Sequence, residues 1–251
     1  MPTAYCVALR GYEMIMEEMT MTEFEKGLEK TRTVIIPVGT VEEHGPHLPL
    51  STDTIQAVEL AKRVAQRMNV FIAPPLHYGF CRSTRCHPGT ISVSTGALRE
   101  MIRDIVKSFH LQGLRSFVIL SGHAGGIHIA ALNEVGEELL EELREISIAV
   151  LSAIDLFPDK GDLVETEGDS HAGEVETSMM LSVRPELVKG RASKEYPALP
   201  RAMLVRDKRK YWPGGVWGDP SKASPEKGEK MIHLAVDRVI DLIKKVESHR
   251  E

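Results

Sequence analysis

Residues 33–37 read Thr-Val-Ile-Ile-Pro, a short apolar, β-branched run that predicts a buried strand. Three similar runs follow along the chain, at Val70–Pro74, Ser116–Leu120 and Ile146–Ile154. Between and after them, apolar residues recur with helical spacing at Thr54–Met68, Ala97–Gln112, Ile127–Arg144, Glu174–Ser182 and Pro225–Glu247. Strands that alternate with helices in this way predict an α/β fold with a mainly parallel sheet and helices on both faces.

Two helix starts carry capping signals. Thr22 followed by Glu25 predicts a capping box, and Ser224-Pro225-Glu226 places a cap, a first-turn proline and a first-turn carboxylate in order. The segment 189–224 is rich in Pro, Gly, Arg and Lys without clear periodicity. We interpret it as a long functional loop or a small hairpin excursion from a single domain that spans residues 1–251.

The composition excludes several classes of protein. A chain of 251 residues with 42% hydrophobic content can bury one sizeable core. The net charge of −5 and the absence of a basic stripe argue against a nucleic-acid partner. We find neither a secretion signal nor an apolar stretch of roughly 18 residues, so we expect a cytoplasmic protein without a membrane partner. The three cysteines, Cys6, Cys81 and Cys86, are predicted to be reduced thiols.

The loop after the first predicted strand is dense in polar groups that can bind metals. Residues 39–53 contain two histidines and three carboxylates. Glu42 and His44 stand two apart, so an extended backbone would point both side chains the same way, and Asp53 could return at the start of the next helix. One imidazole and two carboxylates suit a divalent ion. Alternatively, Asp53 or Thr52 caps the helix and the other groups are merely solvated.

Two further clusters lie where later strands end. Residues 121–126, Ser-Gly-His-Ala-Gly-Gly, form a glycine-rich turn into a helix. This turn could cradle a phosphate, or its glycines could allow a close approach that brings His123 to a metal. Residues 169–177 place His171 at the start of another helix. Because ligands bind beyond the carboxyl ends of parallel strands, the three clusters together favour one site.

These motifs resemble the creatininase family of amidohydrolases, from about Val34 to Glu229. The segments that carry the resemblance are Pro37–Asp53, Pro88–Ser92, Ser121–His123, His171–Ser178 and Gly218–Pro220. Their order along most of the chain makes a chance resemblance improbable. The resemblance implies a three-layer α/β/α fold and a homo-oligomeric assembly.

The resemblance also implies the site. It assigns Glu42, His44, Asp53 and His123 as ligands of two divalent metal ions, with Asp53 bridging and His171 as the catalytic residue. These ligands accept zinc, iron and manganese alike. Creatininase itself has a further glutamate ligand where this chain has Gly125. We predict that Glu176 fills that place.

The departures from the family pattern bear on the substrate. Glu167 stands where a tryptophan that handles creatinine is expected, so creatinine is a doubtful substrate. The chain also resembles archaeal deformylases that act on a formylamino-ribosylaminopyrimidine monophosphate, and that reaction class fits it better. For such a small, phosphorylated molecule we place substrate binding at Ser83, Arg85 and Gly125, with Arg82 nearby.

Three other functions stay open from the sequence. Two belong to the same family, namely creatinine hydrolysis and a peptidase activity in the maturation of a peptide-derived redox cofactor. The third, from another class, is a metal-free α/β module that binds phosphate at the glycine-rich turn. Metal content separates this third function from the others.

Overall fold

A five-stranded parallel sheet forms the centre of the protein. The computed structural model describes residues 14–156, 163–200 and 202–249. The strands are β1 (Met14–Ile15), β2 (Thr33–Val38), β3 (Phe71–Ile72), β4 (Ser116–Ser121) and β5 (Ser147–Ser152). Their order in the sheet is β1-β3-β2-β4-β5, and every neighbouring pair is parallel. The predicted α/β class is confirmed.

Helices cover both faces of this sheet. They are α1 (Met21–Leu28), α2 (Thr52–Ala65), α3 (Thr95–Leu111), α4 (Gly126–Glu142), α5 (Ala153–Leu156), α6 (Glu174–Val183) and α7 (Pro225–Ser248). Alternate strand residues point to opposite faces, so Ile35 and Val118 join the core under α2, α6 and α7, whereas Ile36 and Phe117 join the core under α1, α3 and α4. The three-layer prediction is therefore confirmed.

Several boundaries differ from the predictions. The capping box of α1 is formed by Thr20 and Glu23, not by Thr22 and Glu25; both pairs have the required spacing, but the helix begins at Met21. Strand β1 was not predicted, because two residues are too short to show a period. The run predicted as one strand at Ile146–Ile154 ends as a strand at Ser152 and turns into α5.

The ends of β2 and β4 meet where the chain changes direction across the sheet. Val38 and Ser121, their last residues, are paired. From β2 the chain crosses to β3 on one side, and from β4 it crosses to β5 on the other, which opens a crevice between them. Gly122 lies here against the backbone of Asp53, so closely that a Cβ would overlap the Asp53 carbonyl group. The close approach brings three loops to one point.

The 189–224 segment has little regular structure in its described part. It contains one antiparallel bridge, between Glu195 and Gly218, and two short 3-10 turns, at Lys208–Lys210 and Pro220–Lys222. None of the described helices combines the length and apolar character needed to cross a membrane. Cys81 is buried and Cys86 exposed, both as free thiols, and Cys6 lies outside the described residues.

Candidate metal centre

Glu42 and His44 stand on the loop after β2, and both are buried. The backbone N–H of Glu42 donates to the Leu50 carbonyl at 2.9 Å, and Val41 pairs with Ile91, which folds the loop over the sheet edge. The alternative interpretation, in which these groups are solvated, is therefore wrong. So is the alternative of a cap, because Ser51 is the N-cap residue of α2 and no side chain caps it.

Asp53 lies in the first turn of α2 and directs its two carboxylate oxygens to different histidines. Oδ1 is 3.1 Å from Nε2 of His44, and Oδ2 is 3.3 Å from Nδ1 of His123. The Thr40 hydroxyl donates to Oδ2 as well. A carboxylate held in this way can bridge two cations that lie on either side of it.

His123 follows β4 and faces Glu42. Its Nδ1 is 2.8 Å from Oε2 of Glu42, whose other oxygen accepts a hydrogen bond from the Thr84 hydroxyl. Nε2 of His123 is buried and has no hydrogen-bond partner. It points at Gly125, where a Cβ would overlap it. Gly125 therefore leaves no room for a ligand side chain without a movement of His123.

Glu176 reaches the same cluster from α6. Its Oε2 is 3.6 Å from Nε2 of His44 and accepts a hydrogen bond of 2.6 Å from the backbone N–H of Ala172. Ala172 has a φ of 48°, in the left-handed region that a residue with a side chain seldom adopts. This turn aims its N–H at the carboxylate. Glu174 instead pairs with Lys227 at 2.5 Å, away from the cluster.

The carboxylates of the cluster require positive charge nearby, because they carry negative charge in a largely buried site. Burial raises the pKa of Glu42, but the nearby His123 outweighs it, and the pKa falls to about 2. Burial lowers the pKa of His44, but Asp53 and Glu176 raise it to about 10. Two buried carboxylates, Glu42 and Asp53, and the half-buried Glu176 thus need a counter-charge, which protonated histidines or divalent cations can supply.

His171 lies three residues before α6, in a backbone bridge with Trp217, and its ring packs on that of His44 at 4.3 Å between centroids. Nε2 is 2.8 Å from the Glu43 carbonyl oxygen, so the neutral ring donates from Nε2 and keeps the Nδ1 lone pair available. Burial and His44 lower the pKa of His171, but Glu43, Glu42 and Glu176 outweigh them and raise it. The ring is thus equipped to exchange a proton.

Ligand-type atoms converge in three sets, each within 4.8 Å. The sets are Glu42, Cys81 and His123; Glu42, His44 and His171; and His44, Asp53 and Glu176. We name two positions by the oxygens of Asp53. The first position lies at Oδ2, with His123 and the Glu42 that contacts it, and the second position lies at Oδ1, with His44 and the Glu176 beside it. Carboxylate oxygens and imidazole nitrogens grouped in this way suit divalent ions.

A cavity of about 740 Å³ opens over this cluster. Glu42, His123, His171 and Glu176 line it, as do two of the three residues predicted to bind substrate, Ser83 and Gly125. Arg85, the third, is exposed and is not among the lining residues, whereas its neighbour Arg82 is.

Several residues of the site were missed by sequence reasoning. Thr40 and Thr84 orient the carboxylates, and His128 accepts from the Phe80 N–H through Nδ1 at 3.2 Å and contacts Ser121 through Nε2 at 3.2 Å. Thr40 lies inside the first motif, two residues before Glu42. Thr84 and His128 carry no local signal, because only the fold brings them to the site.

Comparison with known proteins identifies the group to which this site belongs. The family model for creatininase, described as creatinine amidohydrolase, matches residues 17–243. The chain belongs to the creatininase family. It is a metal-dependent hydrolase that acts on amide carbon–nitrogen bonds.

Two relatives show the range of the creatininase family. The mycofactocin precursor peptide peptidase of Mycobacterium ulcerans (strain Agy99) is 31% identical over 225 residues, which are 84% of this chain and 84% of that protein. In the crystal structure of creatinine amidohydrolase, the chain has 28% sequence identity to the present one and superposes on it with a TM-score of 0.82. The match covers 93% of the present chain and 98% of the creatinine amidohydrolase chain. The fold is therefore that of creatininase, and the chain is also similar in sequence to a peptidase.

A third relative of the creatininase family bears on the metal. A variant creatininase of zinc–zinc type is 28% identical, covers 93% of this chain and 98% of that one, and has a TM-score of 0.80. The donor sets of the present chain are candidates for the same kind of metal binding.

Proposed function

We propose that this creatininase-family hydrolase removes the formyl group from a formylamino-ribosylaminopyrimidine monophosphate. In this proposal two divalent ions, zinc, iron or manganese, are held by Glu42, His44, Asp53, His123 and Glu176. The observation that carries it is that one cavity combines the donor cluster with two tryptophans and an arginine. We call Trp212 and Trp217 the aromatic wall. We call Arg82, with the nearby Arg85 and Lys208, the cationic rim. We expect the enzyme to act in the cytoplasm as a homo-oligomer.

The aromatic wall supports a planar substrate. Trp217 lines the cavity with 38% of its surface exposed, and Trp212 packs edge-on against it at 6.2 Å between ring centroids. Trp212 is itself buried and donates from Nε1 to the Val216 carbonyl at 2.7 Å. A rigidly held, half-open indole is a stacking surface for a flat heterocycle such as an aminopyrimidine.

The cationic rim supports a phosphate. Arg82 lines the cavity, and Lys208 donates to the Arg82 carbonyl oxygen at 2.9 Å. Burial and the charges of Arg82 and Arg85 lower the pKa of Lys208. In the described part of the chain none of the three forms an ion pair with a carboxylate, so this positive charge is available to an anionic ligand.

The chain's own residues divide the reaction between them. When bound, the divalent ions act as Lewis acids that polarise the formyl carbonyl and make water sufficiently acidic to attack it near neutral pH. His171 accepts a proton from the attacking water and passes it to the departing amine nitrogen as the C–N bond breaks and formate leaves. The Glu43 carbonyl fixes the ring of His171 through Nε2, which leaves Nδ1 as the ring nitrogen for this transfer.

Formate release tests the proposal. The metal-loaded protein is given the formylamino nucleotide, the same compound without its phosphate, creatinine, and a short peptide. Formate from the two formylamino compounds, creatine from creatinine and fragments from the peptide are measured separately, and we expect turnover of the first two compounds only, with a kcat/KM that falls when the phosphate is absent. Preference for creatinine would exclude the deformylase.

A peptide substrate is the second candidate. It is favoured by the 31% identity to a peptidase, against 28% to creatininase. The cationic rim would then bind an acidic side chain or a terminal carboxylate. Cleavage of the peptide without release of formate from the nucleotide would favour this candidate over the first.

A further inference from the structure

Cys81 brings a sulfur atom to the edge of the donor cluster. It lies on the segment between β3 and α3 and is fully buried. Its backbone N–H donates to the Ser92 hydroxyl at 3.0 Å, and its thiol is hydrogen-bonded to Thr40. The hydroxyl of Thr40 also lies within hydrogen-bond distance of the carboxylates of Asp53 and Glu42. The sulfur is thus held among the same atoms that orient the carboxylates.

The sulfur does not stand alone. Its Sγ, a carboxylate oxygen of Glu42 and a ring nitrogen of His123 lie within 4.8 Å of one another. Nδ1 is the nitrogen of His123 that faces the carboxylates, at 2.8 Å from Oε2 of Glu42 and 3.3 Å from Oδ2 of Asp53. A ring nitrogen, carboxylate oxygens and a sulfur that converge in this way can hold a cation.

The number of donors also favours a role for the sulfur. The first position has Glu42, His123 and one oxygen of Asp53, which is three protein donors. A tetrahedral ion needs four. Among the His, Cys, Asp and Glu side chains of the described residues, Cys81 is the one that groups with Glu42 and His123 within 4.8 Å, so its sulfur can supply the fourth donor.

We infer that Cys81 Sγ binds the ion in the first position, together with Glu42, Asp53 and His123. This inference rests on the proposed two-metal centre. A thiolate is a softer ligand than a carboxylate and favours zinc and iron over manganese. The first position should therefore prefer zinc and iron over manganese. The second position has donors from His44, Asp53 and Glu176, without a sulfur, and lacks this preference.

Cobalt substitution tests the assignment without any measurement of activity. The full chain is stripped of metal and titrated with Co²⁺, bound cobalt is measured by elemental analysis, and the near-ultraviolet absorption is recorded. A thiolate bound to Co²⁺ gives an intense charge-transfer band there, which carboxylate and imidazole ligands do not give. We expect the band in the unmodified protein at one cobalt-bound thiolate per chain.

Three variants identify the sulfur. Cys81→Ser should lose the band, whereas Cys86→Ser and Cys6→Ser should keep it. In a competition between zinc and manganese, Cys81→Ser should also shift the bound ratio toward manganese by on the order of tenfold.

Several results would overturn the assignment. Stoichiometric cobalt binding without the band removes Cys81 from the ligands and leaves the metal centre intact, and so does a band that survives in folded Cys81→Ser. If the protein binds no cobalt at all, the proposed metal centre fails together with this inference. If Cys81→Ser does not fold, a band that survives in both Cys86→Ser and Cys6→Ser still assigns it to Cys81, and loss of the band in either of them overturns the assignment.

Discussion

Oε2 of Glu176 lies 3.6 Å from Nε2 of His44, and it is fixed there by the Ala172 backbone N–H. A carboxylate from α6 thus stands beside the histidine of the first motif. In this chain Gly125 leaves the glycine-rich turn without a ligand side chain, and Glu176 is the group that can complete the second position.

Glu176→Gln should therefore weaken binding at the second position and spare the first. The amide keeps the size of the side chain but removes the charge that attracts a cation. Isothermal titration of metal-free protein with zinc should show one site instead of two. Glu186→Gln, at an exposed glutamate just beyond α6, is the matched control and should keep both sites. Two unchanged sites in Glu176→Gln would remove it from the ligands.

Asp53→Ala should lose metal from both positions and abolish turnover. One oxygen of Asp53 faces His44 and the other faces His123, so its loss removes a ligand from each side. Elemental analysis after dialysis measures the occupancy. If one ion stays at full occupancy, Asp53 does not bridge.

His171→Ala should lower kcat by about 10²- to 10⁴-fold while the metal content stays unchanged. The reason is that His171 is tied to the Glu43 carbonyl through Nε2 and so offers Nδ1 for proton transfer. The limb of the pH–rate profile that reports this group should flatten. Loss of metal in His171→Ala would instead make it a ligand, as its place in a set with Glu42 and His44 would allow.

Gly125→Ala should weaken metal binding at the first position by on the order of tenfold, because the new methyl group overlaps Nε2 of His123 and displaces its ring. Gly126→Ala is the matched control. A Cβ at Gly126 meets no atom within 4 Å, and an alanine suits the first residue of α4. Equal affinities in the two variants would show that His123 moves aside without loss.

The stability of the metal-free protein should fall as the pH drops from about 6.5 toward 3. Burial lowers the pKa of His128 to about 3, from 6.5 in the unfolded chain. Below 6.5 the unfolded chain therefore binds a proton that the folded protein refuses, which costs about 1.4 kcal/mol of unfolding free energy per pH unit.

Urea unfolding at several pH values, with a chelator present, measures this effect. His128→Asn should lower stability at pH 7.5 but reduce the slope between pH 6 and 4 by about one proton. His233→Asn, at a histidine exposed on α7, should leave the slope unchanged. An unchanged slope in His128→Asn would mean that His128 accepts its proton in the folded state.

Much of the fold could be predicted from local pattern. The apolar runs that became β2 and β4 are long, buried on both faces and flanked by amphipathic helices, so period and composition were sufficient. Strand β1 was missed because two residues have no period, and its place at the sheet edge depends on pairing with β3.

The site was predictable where one loop carries the chemistry. Glu42, His44 and Asp53 lie within a dozen residues, so their density was visible in the sequence. Thr84 and His128 were not, since they reach the site through contacts 42 and 48 residues away along the chain. Of the two arginines named from the sequence, Arg82 lines the cavity and Arg85 does not, and the role of Arg85 in substrate binding stays a prediction.

The backbone bridge between His171 and Trp217 couples substrate selection to proton transfer. Trp217 donates its N–H to the His171 carbonyl at 2.7 Å, and its own carbonyl accepts from the N–H groups of Ser170 and His171. The same backbone hydrogen bonds therefore position Trp217, which would select the substrate, and His171, whose ring would protonate the leaving group. Grafting a different 195–218 loop to change substrate range should disturb turnover as well. Retargeting of this scaffold is better attempted at Ser83 and Arg82, which line the same cavity and take no part in the backbone bridge.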